Sequence, residues 1–382
     1  MRTKGTPTYL VARAIGLAVM ALAICVGSSH HNPVHGQTID GPHSSIDAVR
    51  IGVLGLFHPR EFRVEAIAGQ GLILHAGNQS VTLERSSGVG AATIHLSGAR
   101  LAAISGGREF RASAISVTGR MNQRADFSLA IPGKITRRYH GTLEIEPWAD
   151  RLLAILTVDR ETAVASVVAA ESAPDTPLEA LKAQAVAARS YFVAGRGRHH
   201  NFDFCDTTHC QFLRNPPAPD SDVAVAVEAT RGLVLVYNDQ PFAAMYTRSC
   251  SGRTHTPAEL GIRAVAYPYY RVACDYCRSH PANWTSRLSA RDATLLRSAD
   301  ELARLKVVRQ VGWSVVPSND FVATRDEDQV VLHGVGNGHG IGLCQAGAKG
   351  MAELGATFRE ILNHYYPNTS IVSVERAAVE AR

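Results

Sequence analysis

The segment ESAPDTPLEALKAQAVAARSYFVAG, residues 171–195, carries the strongest structural signals of the chain. Apolar side chains recur in it every three or four positions, at Leu178, Leu181, Ala185, Ala188 and Phe192. This period is typical of a helix with one apolar face. Thr176 is the predicted N-cap, Pro177 the first helical residue and Glu179 the partner that completes a capping box. Gly195 predicts the end of the helix.

The apolar run just before this helix, Val164–Ala170, predicts a buried strand that continues the strand-like sequence from Leu152. Glu171 would then lie where a buried strand ends and a rigid helix begins, in a fixed and partly dry position. Apolar surroundings raise the pKa of a carboxyl group, so that it can carry a proton near neutral pH. Glu171 is therefore a candidate acid–base residue; the alternative is an ordinary carboxylate at a helix start.

The rest of the chain predicts an α+β fold with a β-rich N-terminal part. From Ile51 to about Trp148, short alternating runs are separated by glycine, asparagine and serine, which indicates strands and tight turns. Further on, we predict helices over Asp220–Thr230 and Ala290–Lys306, a hairpin at Asn238-Asp239, two strands within Val311–Leu332, helices after Cys344 and Thr357, and a final strand. The expected parts are a linker over 30–47, a β-rich region over 48–149 and a mixed α+β region with a binding groove over 150–375.

The N-terminus has the pattern of a secretory signal peptide, predicted over residues 1–29. Basic residues come first, then the apolar segment Ala14–Val26, then small residues. The apolar segment is shorter than the roughly 20 residues that a membrane span needs. We therefore expect export to the periplasm or cell wall, with membrane contact only through this segment. Ile24 is too large for the position before a lipidated cysteine, so lipidation of Cys25 is not expected.

Composition narrows the class of protein further. The chain has 382 residues, 46% of them hydrophobic and 19% charged, which is a globular composition. A formal net charge of +5 is small for this length and no lysine or arginine run is present, so nucleic acid is not an expected partner. Six cysteines follow Cys25, at Cys205, Cys210, Cys250, Cys274, Cys277 and Cys344. In an exported protein this even number permits disulfides, whose pairing the sequence leaves open.

Two groups of cysteines could carry chemistry. Thiolates and imidazoles within one short loop can present several zinc ligands, and the candidates are His199, His200, Cys205, His209 and Cys210. The alternative there is a disulfide. The pair Cys274-x-x-Cys277 could be redox-active or bind a metal, but it lacks a thioredoxin-like context. A structural disulfide with Cys250 is the simpler interpretation.

The glycine-rich stretch GNGHGIG, residues 336–342, precedes a predicted helix. Its glycines let the backbone approach a ligand closely and place His339 just before the helix. The spacing matches neither the phosphate loop nor the dinucleotide fingerprint, so a nucleotide site is not favoured. The alternative is a turn whose histidine bonds only to the backbone.

Several long motifs resemble the SpoIID/LytB family of bacterial cell-wall proteins. They are VASVVAAES (164–172), PLEALKAQAVAARSY (177–191), CDTTHCQ (205–211), AVEATRGLVLVYNDQPFAAMYTRSCSGRT (226–254) and GNGHGIGLCQAGAKGMAELGATFREILNHYYPNT (336–369). They occur in the family's order, and the β-rich region before them looks like the family's N-terminal part more loosely.

The resemblance implies a protein that acts on peptidoglycan glycan strands, either as a lytic transglycosylase or as an enhancer of a cell-wall amidase. It places the family's catalytic glutamate on Glu171 and its zinc-binding loop on the cysteine–histidine loop, with zinc as the candidate cofactor. The candidate substrate-binding residues in the matching motifs are Gln211, Ser251, Gly338, His339 and Gln345. Family members commonly read Glu-Met-Pro where this chain reads Glu171-Ser-Ala-Pro174, and commonly carry tryptophan where Asn337 stands. A zinc hydrolase built on the cysteine–histidine loop is a third hypothesis.

Overall fold

The computed structural model describes residues 47–207, 209–262, 266–289, 312, 314–326 and 329–380. The predicted signal peptide, nearly all of the predicted linker and the predicted helix Ala290–Lys306 lie outside the described residues. The described residues belong to one compact unit, Ser44–Arg382. Within these ranges, no helix has the length and apolar character needed to cross a membrane.

The β-rich character predicted for the N-terminal part is confirmed. Its strands are β1 (Ala48–Val53), β2 (Glu61–Ala66), β3 (Gly71–Ala76), β4 (Gln79–Glu84), β5 (Ala91–Ser97), β6 (Arg100–Ser105), β7 (Arg108–Ala112), β8 (Ile115–Gly119), β9 (Ala125–Ile131), β10 (Ile135–Trp148) and β11 (Arg151–Asp159). Short 3-10 turns occur at Gly55–Phe57, Arg85–Ser87 and Arg120–Asn122. Buried and accessible residues alternate along β2 and β3, as expected for strands with one face on a core.

The second part mixes helices with short strands. The helices are α1 (Arg160–Glu171), α2 (Leu178–Ala194), α3 (Asp222–Ala229), α4 (Asp275–Ser279), α5 (Gln345–Glu353), α6 (Phe358–Tyr365) and α7 (Val374–Glu380), with a 3-10 turn at Pro257–Leu260. The strands are β12 (Phe204–Cys205), β13 (Leu233–Tyr237), β14 (Gln240–Pro241), β15 (Tyr246–Thr247), β16 (Asn283–Ser289), β17 (Asp320–Asp326), β18 (Gln329–Val335), β19 (Leu343–Cys344) and β20 (Ser370–Ser373). The fold is therefore α+β.

One large sheet joins the two parts. Its strand order is β12-β1-β11-β10-β9-β2-β5-β6-β7, while β8 pairs with β10 and β3, and β3 pairs with β4. The first half of the long strand β10 pairs with β9, and its second half pairs with β11 and β8. The strand changes partners near Gly141, where an added Cβ would lie 2.5 Å from the carbonyl oxygen of Thr157, so only glycine fits. Smaller sheets have the orders β14-β13-β20, β15-β19 and β16-β18-β17.

The strand predicted over Val164–Ala170 is wrong, because these residues belong to α1. The carboxylate of Asp159 accepts the backbone N–H groups of Glu161 and Thr162, and so caps the N-terminus of this helix. The valines of α1 are buried in the largest core. An apolar run of this kind cannot be told from a strand by its period alone. Glu171 is therefore the last residue of a helix and does not follow a strand.

The helix α2 exists as predicted, but its predicted capping box does not. Pro177 is the N-cap, and the hydroxyl of Thr176 donates to a carbonyl in the preceding turn. The carboxylate of Glu179 instead accepts from Lys182 on the same helix. Gly195 ends the helix as predicted.

Two hydrophobic cores meet at α2, where the sequence predicted a single apolar face. Leu181, Ala185, Ala188 and Phe192 lie in the core that contains the large sheet and α1. Ala180, Ala183, Val186 and Ala187 lie in a second core with residues of α5 and α6. Leu178, predicted on the apolar face, is 38% exposed. The helix is thus buried on two sides and links the sheet to the C-terminal helices.

The remaining predictions met mixed outcomes. The hairpin at Asn238-Asp239 is confirmed, with both residues at positive φ. The sequence predicted two strands within Val311–Leu332 on either side of Pro317-Ser318-Asn319, but β17 and β18 both follow Asn319. None of the described residues between Val311 and Pro317 belongs to a strand. Cys274 is the N-cap of α4.

Candidate functional site

Glu171 lies at the C-terminal end of α1, held by two contacts from distant parts of the chain. Its Oε1 accepts the backbone N–H of Phe212 at 3.1 Å. Its backbone carbonyl accepts Nε2 of Gln345 at 3.3 Å. The side chain and the backbone of Glu171 are therefore positioned by separate segments, 41 and 174 residues away in sequence.

A cavity of about 140 Å³ lies beside Glu171, between α1, α2 and α5. Polar side chains in its wall include Glu171, Gln184, Arg248, Tyr276, Gln345 and Lys349. Among the described residues that form this wall, Glu171 is the only acid. Of the candidate substrate-binding residues, Gln345 alone belongs to this wall.

Burial raises the pKa of Glu171 above the ordinary value of a glutamate. The N–H of Phe212 and the positive charges of Arg248 and Arg214 act against this by favouring the carboxylate. Desolvation of the charged form outweighs them. Glu171 therefore keeps its proton to a higher pH than an exposed glutamate, which is what a proton donor near neutral pH requires.

Gln184 is a site residue that sequence reasoning missed. Its side chain is 2% exposed and lies in the cavity wall. Neither its Oε1 nor its Nε2 has a hydrogen-bond partner among the described residues. A buried amide without a partner costs free energy, so a ligand that satisfied both groups would bind favourably. The only signal in the sequence was a polar residue on an otherwise apolar stretch of helix.

The cysteine–histidine loop brings four of its five candidate ligands together. The ligand atoms of His199, Cys205, His209 and Cys210 all lie within 4.8 Å of one another. The Nε2 atom of His199 is 3.4 Å from Cys210 Sγ, and the Nδ1 atom of His209 is 3.5 Å from the same sulfur. Both cysteines are free thiols. Two thiolates and two imidazoles form a donor set that suits tetrahedral zinc; His200 is not part of this group.

This loop is anchored to the large sheet. Asp206 is buried, and its carboxylate accepts Nη1 of Arg137 at 2.7 Å and the backbone N–H of Leu54 at 3.0 Å. Burial raises the pKa of Asp206, against the opposing effects of these two partners. The strand β12 at the start of the loop adds to the sheet by pairing with β1.

The same loop continues directly to Glu171. Gln211 follows Cys210 and is 3% exposed. Its Oε1 accepts the hydroxyl of Tyr246 at 2.9 Å, and its Nε2 donates to the carbonyl of Ala188 at 3.3 Å. The structure thus places Gln211, a candidate substrate-binding residue, inside the protein. There it fixes the backbone just before Phe212, whose N–H donates to Glu171.

The glycine–histidine loop forms a separate, tightly packed region. Gly338 has a φ of +102°, and a Cβ there would collide with Oγ1 of Thr247, so both backbone and space require glycine. His339 accepts the backbone N–H of Ile341 at its Nδ1, at 3.0 Å. Ser251, Gly338 and His339 lie outside the cavity wall that contains Glu171.

Beside this loop lies a histidine–aspartate pair that sequence reasoning did not find. Nε2 of His255 is 2.8 Å from Oδ2 of Asp320, a carboxylate that also forms a hydrogen bond with Ser251. Asp320 raises the pKa of His255 and outweighs the effect of burial. The two residues are 65 positions apart, so only the tertiary fold brings them together.

A second cluster joins Cys250, Cys274, Cys277 and Cys344, all of them buried. The structure contains no disulfide between Cys250 and the Cys274-x-x-Cys277 pair, in contrast to the prediction. Cys344 completes a set of four sulfurs that sequence reasoning had not grouped. Its distance of 94 residues from Cys250 left no local pattern to detect.

The chain is similar to known proteins over more than half of its length. A family model described as Stage II sporulation protein, SpoIID, matches residues 149–237. An uncharacterized protein of Brachyspira hyodysenteriae is 31% identical over 63% of this chain and 74% of its own length. The stage II sporulation protein D of Bacillus subtilis is 26% identical over 57% of this chain and 76% of its own length. The amidase enhancer of Bacillus subtilis is 27% identical over 51% of this chain, but the match spans only 38% of that protein.

Proposed function

The chain belongs to the SpoIID/LytB family, and on that premise we propose that it is an exported lytic transglycosylase that cleaves the glycan strands of peptidoglycan. The observation that carries the proposal is the setting of Glu171, a single carboxyl group of raised pKa at a cavity. An ordinary glycosidase needs two carboxyl groups. A lytic transglycosylase needs one, because the substrate's own C6 hydroxyl is the nucleophile.

In the proposed reaction Glu171 acts first as acid and then as base. The protonated carboxyl group donates its proton to the glycosidic oxygen as the bond from that oxygen to C1 of the muramic sugar breaks. The resulting carboxylate takes the proton of the C6 hydroxyl as O6 bonds to C1 and closes a 1,6-anhydro ring. The N–H of Phe212 and the charge of Arg248 stabilise the carboxylate between these steps.

The cavity wall supplies groups that can bind the sugar. Gln184 offers a donor and an acceptor without partners among the described residues, and Gln345 lies beside it in the wall. Sugar hydroxyl and acetamido groups are both donors and acceptors, so they match an amide. We propose that the glycan groove runs past this wall.

We also propose that His199, Cys205, His209 and Cys210 hold a zinc ion. A closed site of four protein ligands is structural and leaves no open position for substrate. Its contribution would be to fix the loop whose later residue, Phe212, donates to Glu171.

The decisive test is the variant Glu171→Gln, assayed on purified cell wall with mass spectrometry of the soluble products. Removing the proton donor should lower the release of anhydro-muropeptides by about 100-fold or more. Glu228→Gln is the matched control, because Glu228 is exposed on α3 and is not part of the cavity wall. Undiminished release by the Glu171→Gln variant would show that Glu171 is not the acid.

A second candidate function is stimulation of a cell-wall amidase, favoured by the similarity to the amidase enhancer of Bacillus subtilis. In that case the purified protein yields no anhydro product by itself but accelerates release of stem peptides by an added amidase. The Glu171→Gln variant would stimulate as well as the parent protein. Product identity therefore separates the two functions.

A further inference from the structure

We propose that Cys250, Cys274, Cys277 and Cys344 form a second zinc site, independent of the cysteine–histidine loop. The four side chains are between 0% and 2% exposed, and their sulfur atoms all lie within 4.8 Å of one another. Three separate segments bring them together: the loop after β15, the first turn of α4, and the residue that caps α5.

The spacing of the sulfur atoms fits one tetrahedral ion. With zinc–sulfur bonds of about 2.3 Å, neighbouring sulfurs in a tetrahedron lie about 3.8 Å apart. Sγ of Cys277 is 3.5 Å from Sγ of Cys344, whereas a disulfide requires about 2.05 Å. An iron–sulfur cluster inserts several atoms between its cysteine ligands and therefore needs them farther apart.

The groups around the sulfurs suit thiolates. Sγ of Cys344 accepts the backbone N–H of Cys250 at 3.3 Å and that of Gly347 at 3.4 Å. The hydroxyl of Tyr365 is 3.4 Å from Sγ of Cys274. Such donors orient metal-bound thiolates and offset their charge. The nine-residue helix α5 also directs its positive end at Cys344. The sulfurs of a disulfide carry no charge, so they would gain little from these donors.

Gly347, in the first turn of α5, is packed tightly against the cluster. A Cβ added at Gly347 would collide with the hydroxyl of Tyr365 and come within 2.5 Å of Sγ of Cys274. The segment is therefore fixed against the cluster by a residue that can only be glycine.

A metal at this place would hold one wall of the Glu171 cavity. Tyr276 lies between two of the cysteines in sequence, and Gln345 follows Cys344 directly. Both side chains line the cavity, and Gln345 donates to the carbonyl of Glu171. Zinc would thus tie α4 to α5 and position the groups opposite the catalytic carboxyl.

The test is metal analysis of the purified full chain together with thiol mapping. If zinc also occupies the cysteine–histidine loop, the parent protein should contain two zinc ions per chain. Cys277→Ser and the matched control Cys205→Ser should then each lose a different one, and the double variant should contain none. If the parent protein contains one ion, Cys277→Ser should remove it. Zinc content unchanged by Cys277→Ser, or iron with sulfide in place of zinc, would overturn the proposal.

Thiol mapping of the parent protein does not depend on whether a variant folds. After chelation and denaturation without reductant, alkylation should label Cys250, Cys274, Cys277 and Cys344 as free thiols. Peptides joined by a disulfide among these four would contradict the proposal. Cobalt titration of the apoprotein gives a second measurement, which follows the thiolate-to-cobalt absorption. In Cys277→Ser this absorption should be lower than in the parent protein by the amount that four thiolate ligands contribute. Neither readout involves glycan cleavage, so the zinc site stands or falls separately from the proposed reaction.

Discussion

At the scale of single residues, Glu171 shows how opposing effects set a proton affinity. Burial raises its pKa, while the N–H of Phe212 and the charges of Arg248 and Arg214 lower it. The proposed first step uses the protonated form, so kcat/KM should fall as pH rises through this pKa. The pH at which kcat/KM falls, the basic limb of the pH profile, therefore reports the balance of these effects.

Arg248→Gln should move this limb to higher pH, because it removes a charge that favours the carboxylate. Arg248 is exposed, so solvent screens it and the shift should be less than about one pH unit. The measurement is the pH dependence of kcat/KM on purified glycan, with Arg231→Gln as the control because Arg231 pairs with Glu228 on α3. A limb that moves to lower pH would contradict this description of the site.

Two buried glutamines allow a matched comparison of ligand binding and stability. Gln184 has no partners among the described residues, whereas Gln211 bonds to Tyr246 and Ala188. Gln184→Leu should therefore leave thermal stability unchanged or raise it, while raising KM for glycan. Gln211→Leu should cost about 1–3 kcal/mol of unfolding free energy, because it leaves the buried hydroxyl of Tyr246 without its acceptor.

The comparison is made by thermal unfolding and by steady-state kinetics on the same preparations. If Gln184→Leu leaves KM unchanged, the amide does not contact substrate. If it lowers the melting temperature as much as Gln211→Leu does, the amide has a structural partner after all.

At the scale of elements, one buried ion pair ties four of them together. Arg189 on α2 is fully buried and forms a bidentate pair with Glu161 of α1, at 2.6 and 2.8 Å. It also donates to the carbonyl of Leu233 in β13 at 3.0 Å and to that of Val227 in α3 at 3.4 Å. This pair sets the angle at which α1 delivers Glu171 to the cavity.

Arg189→Ala should lower the free energy of unfolding by about 3–5 kcal/mol, since it leaves the buried Glu161 carboxylate with only the 4.0 Å contact to Nε of Arg160. Urea unfolding followed by circular dichroism measures this. Arg231→Ala is the control, because the pair of Arg231 with Glu228 has the same 2.6 Å contact but is exposed, and no measurable loss is expected. Equal effects of the two substitutions would show that burial does not decide the contribution of the pair.

The same elements show what the sequence could predict. Alternation identified strands such as β2 and β3, in which buried and accessible residues alternate. It gave no signal for β6 and β9, in which three consecutive residues are buried. Prediction from the apolar pattern failed for α1, because its valines and alanines pack on the core and give no clear helical period. The missed signal was Asp159, a capping residue directly before the helix. The capping box predicted for α2 is not formed because the N-cap is Pro177, which has no N–H to donate, and the carboxylate of Glu179 accepts from Lys182 and from the backbone N–H of Phe358.

At the scale of the whole molecule, the candidate site combines local and distant contributions. Glu171 could be found from its position beside a helix start, and the cysteine–histidine loop from ligands within a dozen residues. The complete four-cysteine cluster could not be grouped, because Cys250 and Cys344 are 94 residues apart in sequence and only the packing of the second core, which contains all four cysteines, brings them together. Gln184 was hidden for the same reason, since its lack of partners is a property of the packed structure.

The sheet that joins the two parts leads to a final prediction about folding. The predicted boundary at residue 150 lies in the turn of the hairpin between β10 and β11. In a fragment of residues 150–375, β11 would lose both of its neighbours, β1 and β10. The apolar face of α1 would also lose the core that it shares with the β-rich strands. That fragment should therefore fail to fold, although it retains Glu171 and every candidate ligand.

Urea unfolding monitored by far-ultraviolet circular dichroism compares this fragment with residues 44–382, which form one compact unit. The longer chain should unfold in a cooperative transition, and the fragment should show none. A cooperative transition in the fragment would mean that residues 150–375 form a separate domain that folds without the β-rich strands. The absence of a cooperative transition in the fragment would mean that the β-rich strands stabilise the position of Glu171. The helix α1 can hold this carboxyl group at the cavity only while the apolar face of the helix is packed on the sheet.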